Sequence, residues 1–159
     1  MSKSNSNQAA GNFQLIAQNK KAKFSYHILE TYEAGIVLTG YEIKSIRNKG
    51  ANIKEAYVVA KSGELWLQGA HITPYSYTKD REINPVRSRK LLLKKIEINK
   101  LQGKVNERGF TIVPLELYVK NGWAKVKIAL AKGKSAPDKR HSIKERDAKR
   151  EMERALKSK

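Results

Sequence analysis

No cysteine occurs in the 159 residues. That removes disulfides, thiolate metal sites and cysteine nucleophiles together, and leaves the chain indifferent to redox compartment. Histidine is scarce too. His27, His71 and His141 lie far apart, without an H-x-x-x-H pair or an H-E-x-x-H helix, so the spacing supports no metal site. The apolar run near the N-terminus, residues 15–17, is far too short for a signal peptide or a membrane span, which makes the cytoplasm the expected location. The phosphate loop G-x-x-x-x-G-K-[ST], the G-x-S-x-G elbow and the G-x-G-x-x-G turn are all missing. The residues therefore offer no catalytic set, no metal ligands and no cofactor motif, and the expected class is a binding protein rather than an enzyme.

Acid is the other shortage. Fifteen acidic residues face 33 lysines and arginines, giving a formal charge of +18 and pointing to a polyanionic partner. With 40% hydrophobic residues, a chain of this length buries one modest core. The expected organisation is a disordered leader over residues 1–18, rich in Ser, Asn and Gln, a folded body over 19–132, and a basic tail over 133–159.

Within the body, residues 24–32 alternate aromatic and β-branched side chains with polar ones. Glu33, Ala34 and Gly35 offer a turn before residues 36–38, so a first hairpin is predicted. Thr39 and Glu42 fit a T-x-x-E capping box opening a short helix. That role outweighs Glu42 as a general base. Residues 56–60 and 65–67 around Ser62 and Gly63 predict a second hairpin continuing towards His71 and Ile72, and residues 74–85 read as a loop. Residues 89–107 read as an interrupted helix whose first turn is crowded with cations, against the helix dipole. The conflict suggests that those cations serve a partner. Two long strands, 110–120 and 123–132, flank Asn121-Gly122, with Pro114 marking an edge or a bulge. Val126, Ile128 and Leu130 alternate with Lys125, Lys127 and Ala129, which sends the aliphatics inward and the lysines to solvent. About six strands in hairpin order, with helices between, predict a mainly β fold, a small antiparallel barrel of the oligonucleotide-binding kind.

The candidate RNA-facing residues are then Lys20 of the basic cluster before Phe24, Lys44 and Arg47 on the short helix, Arg87, Arg89 and Lys90, and Lys125, Lys127, Lys132 and Lys134. Aromatics lie among them, Tyr26, Tyr41, Tyr75, Tyr77, Tyr118 and Trp123, a mixture that neutralises phosphates and stacks bases. Beyond residue 138 the cations gather on one side of a helical wheel with only a thin apolar line opposite. An arm without structure when free and helical once it meets phosphates is expected. On these residues alone, two further readings stay open: a structural ribosomal protein, and a ribonuclease using His71 or His141 with a nearby glutamate.

Several strings also resemble the small protein B family, bacterial partners of transfer-messenger RNA: NKKA from Asn19, EIKSIR from Glu42, PVRSRKLLL from Pro85, PLELY from Pro114, AKVKIALAKGK from Ala124 and DKRHSIKERD from Asp138. The resemblance implies an oligonucleotide-binding-type barrel that holds the tRNA-like domain of that RNA as a monomer in a one-to-one complex. It also implies entry into stalled ribosomes for trans-translation. By the same resemblance, Tyr26, Glu33, Leu92, Lys94 and Lys125 match positions that touch the tRNA-like elbow. Asp138, Lys139, Arg140, His141, Ile143, Lys144 and Arg146 match a tail, helical on the ribosome, that reaches the decoding region and the empty messenger channel, with His141 placed to stack on a ribosomal base. Lys94, Phe24, Pro137 and Ala148 depart from the residues common at those positions in the family.

Overall fold

The computed structural model describes residues 12–74, 84–107 and 109–157, with Ala136 and Asp138 described by their backbone alone. Asn121 and Gly122 take left-handed φ values of 52° and 81°, the backbone a two-residue hairpin needs. They join β8 (Phe110–Lys120) to β9 (Trp123–Gly133) in the longest pairing of the fold. The register slips between Pro114 and Glu116, which makes Leu115 the extra residue of a bulge, as Pro114 predicts. Asn19 closes that gap: its backbone N–H donates to Leu115 O at 2.8 Å and its Nδ2 to Pro114 O at 3.2 Å.

Around this hairpin the sheet closes on itself. The ring runs β8, β4 (Tyr57–Lys61), β5 (Glu64–Gln68), β7 (Arg89–Leu92), β2 (Tyr26–Ile36), β9 and back to β8, every pairing antiparallel. Six ringed strands form the mainly β barrel expected. A seventh, β1 (Phe13–Gln18), lies along β8 beside β4, and β3 (Ala51–Asn52) pairs with β6 (His71–Ile72) outside the ring. Leu65, Leu91, Val126 and Ile128 are fully buried inside the barrel, each contributing about 1.5–3 kcal/mol. Among the described residues four helices decorate it: α1 (Lys21–Ser25), α2 (Gly40–Arg47), α3 (Lys95–Val105), whose Ile98 and Leu101 join the core, and α4 (Ala136–Lys157).

Three expectations about the fold are corrected by the structure. Residues 13–18 belong to β1 rather than to a leader without structure. Residues 26–36 make one long strand, after a helix that ends at Ser25, instead of a hairpin over 24–38, because Gly35 serves a close approach and not a turn: a Cβ there would meet Leu92 Cβ at 3.3 Å. Residues 89–92 are a strand, so the cations near Arg89 oppose no helix dipole, and the helix begins at Lys95. The tail forms a helix over Ala136–Lys157, tied to the barrel by Lys134, whose Nζ donates to Lys23 O at 3.0 Å, and by Arg146, 6.0 Å from the Phe24 ring centre. The loop around Tyr75, Tyr77, Lys79, Asp80 and Arg81, and residues 1–11 of the leader, lie outside the described residues.

The capping box forms as the sequence requires. Glu42 N–H donates to Thr39 Oγ1 at 3.3 Å and Thr39 N–H to Glu42 Oε1 at 3.0 Å. Thr39→Ala is expected to cost about 1 kcal/mol, read as a lower urea midpoint at unchanged slope.

Candidate nucleic-acid interface

Strands β2, β9 and β8 lie side by side for most of their length, and their outward residues form the site. Val126, Ile128 and Leu130 point into the barrel, while Ala129 and Ala131 pack under α1 with Ala22, Val113 and Leu115. The outer face of β9 is therefore capped at one end. Lys125 and Lys127 remain uncapped and half-buried at the other, as their alternation with the aliphatics predicts. Across the ladder Lys127 faces Glu33 on β2 and Glu116 on β8, and Lys125 faces Gly35 and Tyr118.

Glu33 is held from two sides. The Tyr118 hydroxyl donates to its Oε2, and Lys120 Nζ stands 3.7 Å from the same oxygen. The bond from Tyr118 holds the Glu33 carboxyl below its ordinary pKa, against a partial desolvation that raises it. Burial, followed by the neighbouring carboxylate, pushes Tyr118 well above the ordinary phenol value, so the hydroxyl stays protonated and donating.

Two hollows open on this side. One, of about 440 Å³, is lined by Gly35, Val37, Arg47, Leu92, Trp123 and Lys125. It brings together Leu92 and Lys125, with Leu92 52% exposed in spite of its apolar side chain. The second, of about 350 Å³, includes Phe13, Glu33, Lys120 and Lys127. Lys44 and Arg47 are exposed on α2, and Lys94 is exposed at the cap of α3. Lys20 lies elsewhere, with Lys21, Lys49 and Lys54 around a hollow of about 520 Å³ beside β1. Tyr26 packs on the cluster beneath α1, at the far end of β2 from Glu33.

Several candidate residues are occupied inside the protein. Arg89 is completely buried: its Nε donates to Glu42 Oε2 at 2.6 Å, and its terminal nitrogens donate to Ala70 O at 2.8 Å, Pro85 O at 2.9 Å and Arg87 O at 3.2 Å. It cannot reach RNA, which corrects the sequence-based expectation. Arg87 bonds the other Glu42 oxygen, and Lys90 stands 3.5 Å from Glu64. The Lys134 ammonium is bonded to Lys23 O, while Lys132 is exposed, 5.8 Å from the Phe110 ring centre.

On α4 the side chains of Arg140, His141, Ile143, Lys144 and Arg146 are exposed and Lys139 is half-buried; of Asp138 only the backbone is described. His141 Nε2 lies 2.8 Å from Glu145 Oε1 along the helix. Sequence reasoning missed Phe13, Lys120 and the gathering of Lys21, Lys49 and Lys54 around one hollow. Phe13 and Lys120 come together only through the β1–β8 register, and the lysines only through the tertiary fold. Among the described residues no group of three or more acidic or histidine side chains could hold a metal ion, and no helix is long and apolar enough to cross a membrane.

A closed six-stranded barrel with uncapped outward lysines and a basic helix leaving its last strand defines the class: a small barrel protein of the oligonucleotide-binding type. The particular family follows from comparison. Residues 16–158 match the SmpB protein family, and the chain belongs to it. The SsrA-binding protein of Streptococcus mutans is 53% identical over 150 residues, covering 94% of this chain and 96% of that one. Its counterpart in Sulfurihydrogenibium sp. is 54% identical over 145 residues, 91% of this chain and 95% of that one. A solved structure described as "tmRNA-SmpB: a journey to the center of the bacterial ribosome" superposes with a TM-score of 0.64 at 42% identity, over 79% of this chain and 92% of that one.

Proposed function

We propose that this chain binds the tRNA-like domain of transfer-messenger RNA through its barrel and delivers that RNA to stalled ribosomes for trans-translation. The tail helix acts in the decoding region and the messenger channel. The carrying observation is the division of charge into two modules: outward lysines on β9, and an exposed basic helix leaving the barrel after Gly133. Family membership supports the identity of the RNA. The protein works in the cytoplasm as a binding protein without catalysis of its own, as a monomer in a one-to-one complex with the RNA. On the barrel, Glu33, Leu92, Lys94, Lys125 and Lys127 meet the RNA, with Lys44 and Arg47 beside them. On the tail, Lys139, Arg140, His141, Ile143, Lys144 and Arg146 meet the ribosome.

Charge reversal tests the barrel half. Lys125→Glu with Lys127→Glu is expected to weaken binding most at low salt and to flatten the plot of log affinity against log salt by about one unit for each phosphate no longer neutralised. An unchanged slope would remove these lysines from the interface.

A further inference from the structure

We propose that the hollow between β1, β8, β9 and β2 is a pocket for one unpaired guanine base of the bound RNA, read by the Glu33 carboxylate that Tyr118 holds in place. The inference rests on the RNA-binding reading above and adds a base-specific contact to it.

The observation that prompts it is a carboxylate in the wrong surroundings. A surface that gripped only phosphates would gain by losing Glu33, since an acid beside phosphate repels it. Here the acid is instead fixed. The Tyr118 ring is buried, 5% exposed, so its hydroxyl has little freedom, and it donates to Glu33 Oε2. Lys120 stands 3.7 Å from the same oxygen, beyond hydrogen-bond distance, so Oε2 keeps a second lone pair and, with Oε1, can accept two adjacent N–H donors from a ligand. A carboxylate held this way accepts N–H donors and carries base specificity rather than charge neutralisation.

The rest of the hollow suits a base and its phosphate. At about 350 Å³ it has room for a single base. Phe13 forms one wall, 48% exposed and tilted 35° against Tyr118 at a ring separation of 5.2 Å, which gives an aromatic face on which a base can stack. Glu116 lies across Lys127 from Glu33 and lines the same hollow, as a second acceptor, while Lys127 and Lys120 supply cations for the attached phosphate. Among the four bases, guanine alone carries two adjacent N–H donors, on N1 and the exocyclic amino group. The amino groups of adenine and cytosine each stand beside a ring nitrogen that accepts, and the uracil N–H stands between two carbonyls. Against a carboxylate, each of these brings acceptor to acceptor.

Tyr118 is a positioning residue in this scheme, acting through Glu33. The experiment is calorimetric titration of the full chain with GMP, AMP, CMP and UMP, whose common phosphate cancels the contribution of the lysines. GMP is expected to bind about fivefold or more tightly than the other three. Glu33→Gln should abolish that preference without weakening AMP, CMP or UMP, and Phe13→Ala should weaken all four. Tyr118→Phe should reduce the preference for GMP and have no further effect on it in the Glu33→Gln background, an outcome that a merely structural tyrosine would not give. Equal binding of the four nucleotides to the unaltered chain, which needs no variant to fold, would overturn the proposal. So would a Glu33→Gln variant that binds all four more tightly by the same factor, since the carboxylate would then only repel phosphate. Affinity for intact transfer-messenger RNA is a separate measurement, so either reading can fail without the other.

Discussion

Arg89→Met is expected to cost about 3–5 kcal/mol of folding stability, because it strands the Glu42 carboxylate in the interior without its fully buried partner. Arg89 ties β7 to the start of α2 through Glu42, and to the segment after β5 and the approach to β7 through three backbone carbonyls. Removing it also leaves those carbonyls short of a donor. Urea unfolding reads the loss, and RNA affinity of the folded fraction should be unchanged. Normal stability with lost RNA affinity would instead return Arg89 to the interface.

The same cluster fixes how acid acts on the fold. Burial pushes the Glu42 carboxyl upward, but the bonds from Arg87, the Thr39 N–H and Arg89 together outweigh it, and the net pKa lies below the ordinary 4.5. A depressed folded value means that the unfolded chain takes up the proton first as pH falls. The stabilisation is therefore whole above about pH 4.5 and is lost as pH drops through the folded value. The stability of Glu42→Gln, lower at neutral pH, should vary less over that acid range.

The second large effect is functional. A chain ending at Pro137 keeps every strand of the barrel, the uncapped lysines of β9 and both hollows on that side. It loses most of α4, whose cations are exposed along its length. Binding of transfer-messenger RNA should fall less than tenfold, through weaker long-range attraction alone, while release of stalled ribosomes in a reconstituted translation assay should disappear. The opposite result, lost RNA affinity with rescue intact, would exchange the roles of the two modules.

Much of this could be read from the residues because local signals and tertiary structure agree. Asn121-Gly122, the Thr39–Glu42 capping box and the alternation of Val126, Ile128 and Leu130 with lysines each need only a few neighbours to be interpreted. The failures have equally local causes. In β1, the register skips Ile16 between Leu15 and Ala17, and the bulge breaks the period that would have marked a strand. Gly35 resembles a turn residue but answers to Leu92 on a neighbouring strand, far away in sequence. Arg89 looked like one more cation among many because its partner Glu42 is 47 residues distant. The paired carboxylate and hydroxyl of Glu33 and Tyr118, 85 residues apart, were invisible for the same reason. What the sequence conceals here are contacts between strands that only closure of the ring brings together.

Selective recognition by the barrel is tested most directly by comparing transfer-messenger RNA with an unrelated structured RNA of equal length over a salt series. A barrel that recognises a particular RNA fold keeps a preference for transfer-messenger RNA as salt rises and non-specific attraction is screened away. Affinities that stay equal for the two RNAs at every salt concentration would leave only a polycation, and would contradict it.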